Sequence, residues 1–256
     1  MSNTYYANNW KEHVMGIKSG NTAFHVFEDD QTEIAEIDGA LNELNRLGIL
    51  TSKEYDNEKF MALRSTVKNQ CDIPWTGISP RMQRLIYAIN AIKQPKVVVC
   101  AGIFCGYTFM CNIGAAVGPG SAYKAEQLIG FEILEQEVPR AKRNVEQLDT
   151  FGETKIICGD TAEWLATSNQ PVDLLYIDAK PVDWERTWPK ERDPSEYYKI
   201  VNAALPNLPK GALVVAHNSM NAASYLSDYL DFVRSDRFQV SSNLAIDDSG
   251  LEVTLV

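Results

Sequence analysis

The chain has 256 residues, 45% of them hydrophobic and 23% charged, a balance typical of one sizeable globular domain. Asp and Glu outnumber Lys and Arg by 34 to 24, so the formal charge is -10 and a nucleic-acid partner is disfavoured. The sequence has no apolar run of membrane-span length, no signal-peptide pattern at its start and no C-x-x-C pair. We therefore expect a cytoplasmic protein with free thiols, and no membrane partner.

The front of the chain, residues 1–75, is expected to form a helical cap. Two segments have the spacing of a helical capping box, Asp30-x-x-Glu33 and Thr51-x-x-Glu54. Behind each of them apolar residues recur every three or four positions, which is the period of one helix face. A third helix is expected after Pro80. The preceding segment, residues 71–80, contains two prolines and a glycine, and we interpret it as a hinge to the main domain, residues 76–256.

From Lys96 onward the pattern alternates between strands and helices. The expected strands are Val97–Cys100, Leu128–Ile133, Lys155–Cys158, Asp173–Asp178, Ala212–Ala216, Phe238–Ser242 and Leu251–Val256. Helices are expected from the first glycine turn to Val117 and over Glu137–Leu148, Asp160–Ala166, Ser195–Ala204 and Ala222–Arg234. This repetition predicts an α/β fold with a mostly parallel sheet and helices on both faces. The last two runs flank a turn sequence at 247–250, so they are expected to form an antiparallel hairpin.

Glycines and polar residues come directly after the expected strands, where open parallel sheets bind ligands. In chain order these segments are Ala101-Gly-Ile-Phe-Cys-Gly-Tyr-Thr108, Gly130-Phe-Glu132-Ile133, Gly159-Asp160-Thr161, Asp178 and His217-Asn218. The first has the spacing G-x-x-x-G, which differs from the dinucleotide fingerprint and disfavours a nicotinamide cofactor. Glu132 suits the two hydroxyls of a ribose, and Asp160 suits either a helix cap or an adenine amino group.

The run Val99–Thr108 resembles the first motif of the class I S-adenosylmethionine-dependent methyltransferases, most closely those related to catechol O-methyltransferase. The resemblance covers residues 77–256, with the later segments in the family's order. It implies a Rossmann-like sheet of seven strands and S-adenosylmethionine as the cofactor. The implied cofactor contacts are Gly102, Phe104, Tyr107 and Thr108 for the methionine part, Glu132 for the ribose, and Ile133, Asp160, Thr161, Asp178 and Trp184 for the rest of the site.

Two departures from the metal-dependent members of that family bear on the chemistry. Those members hold Mg²⁺ with two aspartates and an asparagine, but His217 stands in one aspartate position beside Asp178 and Asn218, and magnesium prefers oxygen ligands. The position of the family's general-base lysine is occupied by Pro181. We therefore expect no metal; the ligands of a bound metal would be Asp178, His217 and Asn218. The expected catalytic residues are His217 as base, Asp178 as its orienting partner, and Tyr176, whose ring face suits a sulfonium cation.

Three functions are compatible with these residues. The first is metal-independent methyl transfer to a small molecule of specialised metabolism, with the cap closing over the cleft. The second is cyclisation of the cofactor's own aminobutyrate chain, as in azetidine-2-carboxylate synthases, which releases methylthioadenosine without an acceptor. The third is a cofactor-binding pseudoenzyme, which ranks last because the cleft has so many polar residues. A homodimer is an alternative to the monomer by analogy with other edge hairpins and cap helices.

Overall fold

A computed structural model describes residues 3–13, 28–74, 76–179 and 194–256. The strands in these residues are β1 (Asn3–Tyr6), β2 (Val97–Ala101), β3 (Gln127–Glu132), β4 (Thr154–Cys158), β5 (Leu174–Ile177), β6 (Leu213–His217), β7 (Val240–Ala245) and β8 (Leu251–Leu255). The α-helices are α1 (Asp30–Arg46), α2 (Asn57–Gln70), α3 (Pro80–Lys93), α4 (Tyr107–Ile113), α5 (Val138–Val145), α6 (Thr161–Thr167), α7 (Glu196–Ala204) and α8 (Ser227–Val233). None of the described helices is long and apolar enough to cross a lipid bilayer.

The strands form one sheet in the order β1-β7-β8-β6-β5-β2-β3-β4. Strand β8 is antiparallel to both neighbours, and every other described pair is parallel. The Rossmann-like, mostly parallel sheet with an antiparallel C-terminal hairpin is thus confirmed. The expected count of seven strands is wrong, because Asn3–Tyr6 adds an eighth at the edge, paired with β7. A four-residue strand offers two side chains to each face, too few to show a strand period in the sequence.

Helices cover both faces of the sheet. One hydrophobic core joins the sheet to α1–α5 and includes Ile37, Phe60, Leu85, Phe109 and Val145. A second core joins the opposite face to α6–α8 and includes Leu165, Ile200 and Tyr229. The described part of residues 1–75 therefore shares its core with the sheet. The division into a cap and a main domain at residue 75 stays a prediction.

Both expected capping boxes are wrong, because other residues begin the helices. The carboxylate of Asp29 accepts hydrogen bonds from two amides of the first turn of α1, and that of Asp56 accepts one from the first turn of α2. The expected box residue Glu33 is buried instead, where its carboxylate accepts hydrogen bonds from Arg64 and Arg84 at 2.5–3.1 Å. The two guanidinium groups supply the hydrogen bonds that this buried carboxylate requires, so it does not bond to the backbone amide that a capping box would offer.

Candidate functional site

The loop after β2, residues 102–106, lies where the strand order of the sheet reverses, and we call it the glycine loop. Gly102, Phe104 and Gly106 all have positive φ, of 77°, 47° and 88°. A Cβ on Gly102 would lie 2.5 Å from the carbonyl oxygen of Asp178, and one on Gly106 would lie 3.2 Å from that of Ala141. The two glycines therefore allow the loop to touch both the end of β5 and helix α5.

Glu132, the last residue of β3, accepts a hydrogen bond from the glycine loop. The Phe104 amide donates a hydrogen bond to Glu132 Oε2 at 2.6 Å, and the Leu134 amide donates to Oε1 at 2.9 Å. Burial raises the pKa of the Glu132 carboxyl, and the amides that donate to it oppose that shift. Each carboxylate oxygen keeps a lone pair, so the two amides do not exhaust its capacity to accept hydrogen bonds.

Two apolar side chains beside the buried carboxylate of Glu132 are exposed. Phe104 is 40% exposed and Ile133 is 43% exposed. The guanidinium carbon of Arg140 lies 5.9 Å from the centroid of the Phe104 ring. Exposed apolar side chains next to a few polar groups are typical of the walls of a small-molecule site.

Asp160 follows β4 and begins α6, as the sequence suggested. Its Oδ1 atom accepts hydrogen bonds from the amides of Ala162 at 2.6 Å and Glu163 at 3.2 Å. Neither bond uses Oδ2, so capping the helix leaves that oxygen for another donor. Three other residues expected to contact the cofactor are buried: Tyr107 and Thr108 at the start of α4, and Thr161 at the start of α6. Trp184 and Pro181 lie outside the described residues.

Asp178, His217 and Asn218 converge at the ends of β5 and β6. His217 Nδ1 lies 3.4 Å from Asp178 Oδ2, and Asn218 Nδ2 donates a hydrogen bond to Asp178 Oδ1 at 2.9 Å. Asn218 has a φ of 66°, a left-handed conformation that turns the chain directly after β6. His217 is 1% exposed, and neither ring nitrogen has a hydrogen-bond partner among the described residues. Nε2 is thus a buried ring nitrogen whose hydrogen-bonding capacity the described residues leave unused.

Three carboxylates raise the pKa of the His217 ring. Burial lowers the pKa of His217, but the neighbouring Asp178 and the more distant Asp247 and Asp248 raise it above its ordinary value. The two distant carboxylates belong to the turn between β7 and β8, next to the end of β6. An imidazole whose pKa is raised in this way is a stronger base than a free one.

Tyr176 lies in β5, two residues before Asp178, and is wholly buried. Its hydroxyl has no hydrogen-bond partner within the described part of the chain, and burial raises its pKa well above the usual value, so it stays neutral. The ring therefore belongs to the core on the same face of the sheet as α4. Its expected contact with a sulfonium cation stays a prediction.

The three ligands expected for the alternative metal site, Asp178, His217 and Asn218, lie together at the ends of β5 and β6. Across residues 3–13, 28–74, 76–179 and 194–256, no three His, Cys, Asp or Glu side chains are grouped so as to hold a metal ion. Asn218 turns its amide nitrogen toward Asp178 and toward the Tyr197 hydroxyl, 3.5 Å away, although hard cations bind the amide oxygen. Absence of a metal stays a prediction.

Three partners of the site carry no local signal in the sequence: Tyr197, Asp247 and Asp248, which approach the end of β6 from other elements. Phe104 was expected in the site, but its contact with Glu132 is made by the backbone amide rather than the side chain. All of these contacts depend on the packing of elements that lie far apart in the chain. A local motif therefore had no means of revealing them.

Residues 99–219 match the model of a family described as a methyltransferase domain. No curated protein matches the chain in sequence. Three solved structures illustrate the structural similarity. An O-methyltransferase from Bacillus cereus in complex with S-adenosylhomocysteine is 12% identical with a TM-score of 0.53, covering 85% of this chain and 96% of that one. An S-adenosylhomocysteine-bound methyltransferase from Podospora anserina is 12% identical with a TM-score of 0.55, covering 90% of this chain and 98% of that one.

The third is the O-methyltransferase TomG from Streptomyces achromogenes, involved in tomaymycin synthesis and solved in complex with S-adenosylmethionine. It is 18% identical with a TM-score of 0.51, and the match covers 79% of this chain and 91% of that one. At these identities the structural similarity establishes the fold.

Proposed function

We propose that the chain transfers the methyl group of S-adenosylmethionine to a small-molecule acceptor, because residues 99–219 match the model of a methyltransferase domain and the fold is that of solved methyltransferases. The observation that carries the proposal is the close approach of Gly102 to the backbone of Asp178, where a Cβ would lie 2.5 Å from the carbonyl oxygen. It supports the proposal because the loop expected to hold the cofactor then adjoins Asp178 and, through it, the buried His217.

When bound, S-adenosylmethionine supplies an electrophilic methyl group on a sulfonium centre. The residues present fit such a molecule. We assign the free lone pairs of Glu132 to the ribose hydroxyls and Asp160 Oδ2 to the adenine amino group. The exposed side chains of Phe104 and Ile133 are assigned to the faces of the adenine ring, and for Phe104 this replaces the contact with the methionine part that the sequence led us to expect. Gly102 allows the glycine loop to pack against the end of β5, since any side chain there would meet the backbone of Asp178 and Ala179.

His217 is assigned as the general base. Its Nε2 atom takes the proton of the acceptor's hydroxyl, while Nδ1 faces Asp178 Oδ2 at 3.4 Å. Asp178 fixes the orientation of the ring and stabilises the imidazolium that forms. The raised pKa of His217 supports this role, because the ring then binds the proton more strongly. Tyr176 is assigned to the sulfonium, through the face of its ring.

The acceptor is proposed to be a hydroxyl-bearing small molecule, and the reaction is proposed to need no metal. Both proposals rest on the same pair, because a buried histidine beside a carboxylate removes a proton without a cation to lower the acceptor's pKa. The cytoplasmic location and the homodimer stay predictions.

Product analysis tests the proposed reaction. The protein is incubated with S-adenosylmethionine alone, and then with a panel of small phenols and alcohols, each with and without an exhaustive chelator. We expect S-adenosylhomocysteine to form only with an acceptor, and at nearly the same rate under chelation. His217→Gln is expected to lower that rate by about a hundredfold or more. Methylthioadenosine released without an acceptor would support cofactor cyclisation instead, and full loss under chelation with rescue by Mg²⁺ would overturn metal independence.

A further inference from the structure

Asn144 of α5 is a buried side chain that joins two segments far apart in the sequence. It is 3% exposed. Its Nδ2 donates hydrogen bonds to the carbonyl of Cys105 at 2.8 Å and to that of Asp72 at 3.1 Å, while its Oδ1 accepts one from the Asp72 amide at 2.8 Å. Its backbone carbonyl also accepts a hydrogen bond from the Cys71 thiol, at 3.6 Å. Both donors of the amide are therefore used, and they reach the glycine loop and the end of α2 together.

Helix α5 touches the glycine loop at two further points. The carbonyl oxygen of Ala141 would lie 3.2 Å from a Cβ on Gly106, so the helix and the loop are in close contact. Arg140 forms an ion pair with the Asp72 carboxylate at 2.9 Å and lies beside the Phe104 ring. One turn of α5 thus supports the loop from Phe104 to Gly106.

We propose that Asn144 is a positioning residue for cofactor binding, a role that rests on the proposed function. By holding the carbonyl of Cys105, it keeps the adjoining Phe104 amide in reach of Glu132. Without the side chain, the Cys105 carbonyl and both backbone groups of Asp72 lose a partner inside the protein. The glycine loop and residues 71–72 are held by the same amide, so a cofactor that orders one also orders the other.

The test uses the full-length chain with Asn144→Leu and Asn144→Asp, and with Asn144→Ser as a milder change should the first two fail to fold. Asn207→Leu is the matched control. Asn207 is also buried, and its Nδ2 donates one hydrogen bond to the Leu165 carbonyl at 2.7 Å. It lies near the start of β5, at the opposite edge of the sheet from the glycine loop. The dissociation constant of S-adenosylhomocysteine is measured by calorimetry at a temperature where every variant is folded.

We expect the Asn144 variants to bind S-adenosylhomocysteine about tenfold or more weakly, while the control binds within about twofold of the wild type. Hydrogen exchange should quicken at 71–74 and 102–106 in the Asn144 variants alone, which a general loss of stability would not produce. Folded Asn144 variants with unchanged affinity would overturn the positioning role. Failure of the wild type itself to bind S-adenosylhomocysteine would overturn the proposed function, and this role with it.

Discussion

At the scale of single residues, the proton affinity of His217 depends on its carboxylate neighbours. Burial lowers the pKa of this ring and Asp178 raises it, with a net rise above the ordinary value. In Asp178→Asn the largest of the three raising charges is gone while burial remains, so the pKa of His217 should fall and the ring should lose its proton at a lower pH. The acidic limb of the pH–rate profile should move in the same direction.

Histidine ring NMR measures this without any acceptor, because the chain has 3 histidines whose titrations can be assigned by substitution. Asp231→Asn, an exposed change on α8, is the control and should leave the titration of His217 where it is. A histidine with a raised pKa stabilises the fold at pH values below its unfolded pKa, and that contribution is lost as the pH rises through the folded pKa. If the pKa of His217 is the same in Asp178→Asn as in the wild type, Asp178 does not interact with the ring in the way proposed.

The Glu132 carboxylate accepts a hydrogen bond from the glycine loop and is also proposed to bind the ribose of the cofactor. Glu132→Ala should weaken S-adenosylmethionine binding by about 1.5–3 kcal/mol, or roughly ten- to a hundredfold, because it removes charge-assisted hydrogen bonds and also frees the Phe104 amide. Glu132→Gln keeps the shape but loses one accepting oxygen, so an intermediate loss is expected. Calorimetry measures both, with exposed Glu135→Ala as the control. An unchanged dissociation constant for Glu132→Ala would exclude the ribose role.

At the scale of elements, the contact between the glycine loop and β5 depends on the missing side chain of Gly102. Gly48→Ala is a matched control, since both glycines have a φ above 70° but nothing lies within 4 Å of a Cβ on Gly48. Gly48→Ala should cost about 1 kcal/mol of stability through the left-handed backbone alone. Gly102→Ala should cost more than about 2 kcal/mol and weaken cofactor binding as well, because its Cβ would meet the Asp178 backbone. Thermal unfolding and calorimetry measure the two effects, and equal results for the two variants would show that the loop does not need this contact.

Much of the sheet could be predicted because its signals are local. Short apolar runs mark the buried strands β2 and β5, and the residues that follow each of them, such as Gly102 and Asp178, give the site. Strand β1 could not be predicted, since four residues show no period and their partner strand is at the other end of the chain. Glu33 misled the capping interpretation because the two arginines that bury it come from other helices.

Some residues of the candidate site could be predicted from the sequence and others could not. Gly102, Glu132 and Asp160 follow strands, so position and residue type together indicate a role. Asn144 and Tyr197 lie inside helices and act through hydrogen bonds to distant backbone or amide groups. A buried asparagine in a helix has no local pattern that separates it from any other polar residue, so its partners become visible only in the fold.

At the scale of the whole molecule, the N-terminal region and the sheet share one hydrophobic core. Ile37, Phe60 and Leu63 are wholly buried in it, and β1 extends the sheet itself. We expect the full chain to unfold in one thermal transition, and a chain without residues 1–70 to lose cooperative unfolding, because the deletion uncovers that core. Calorimetry of both chains measures this. A sharp transition in the shortened chain would instead support separate folding of the main domain and the division at residue 75.

The central claim is that the carboxyl edge of β2, β3 and β5 holds the cofactor with its reacting end toward His217. A crystal structure of the chain with S-adenosylhomocysteine bound tests it most directly. We predict the adenine ring beside Phe104 and Ile133, the ribose on Glu132, and the sulfur near Gly102 on the side of the Asp178–His217 pair. Ligand bound at any other edge of the sheet, or a sulfur facing away from His217, would contradict it.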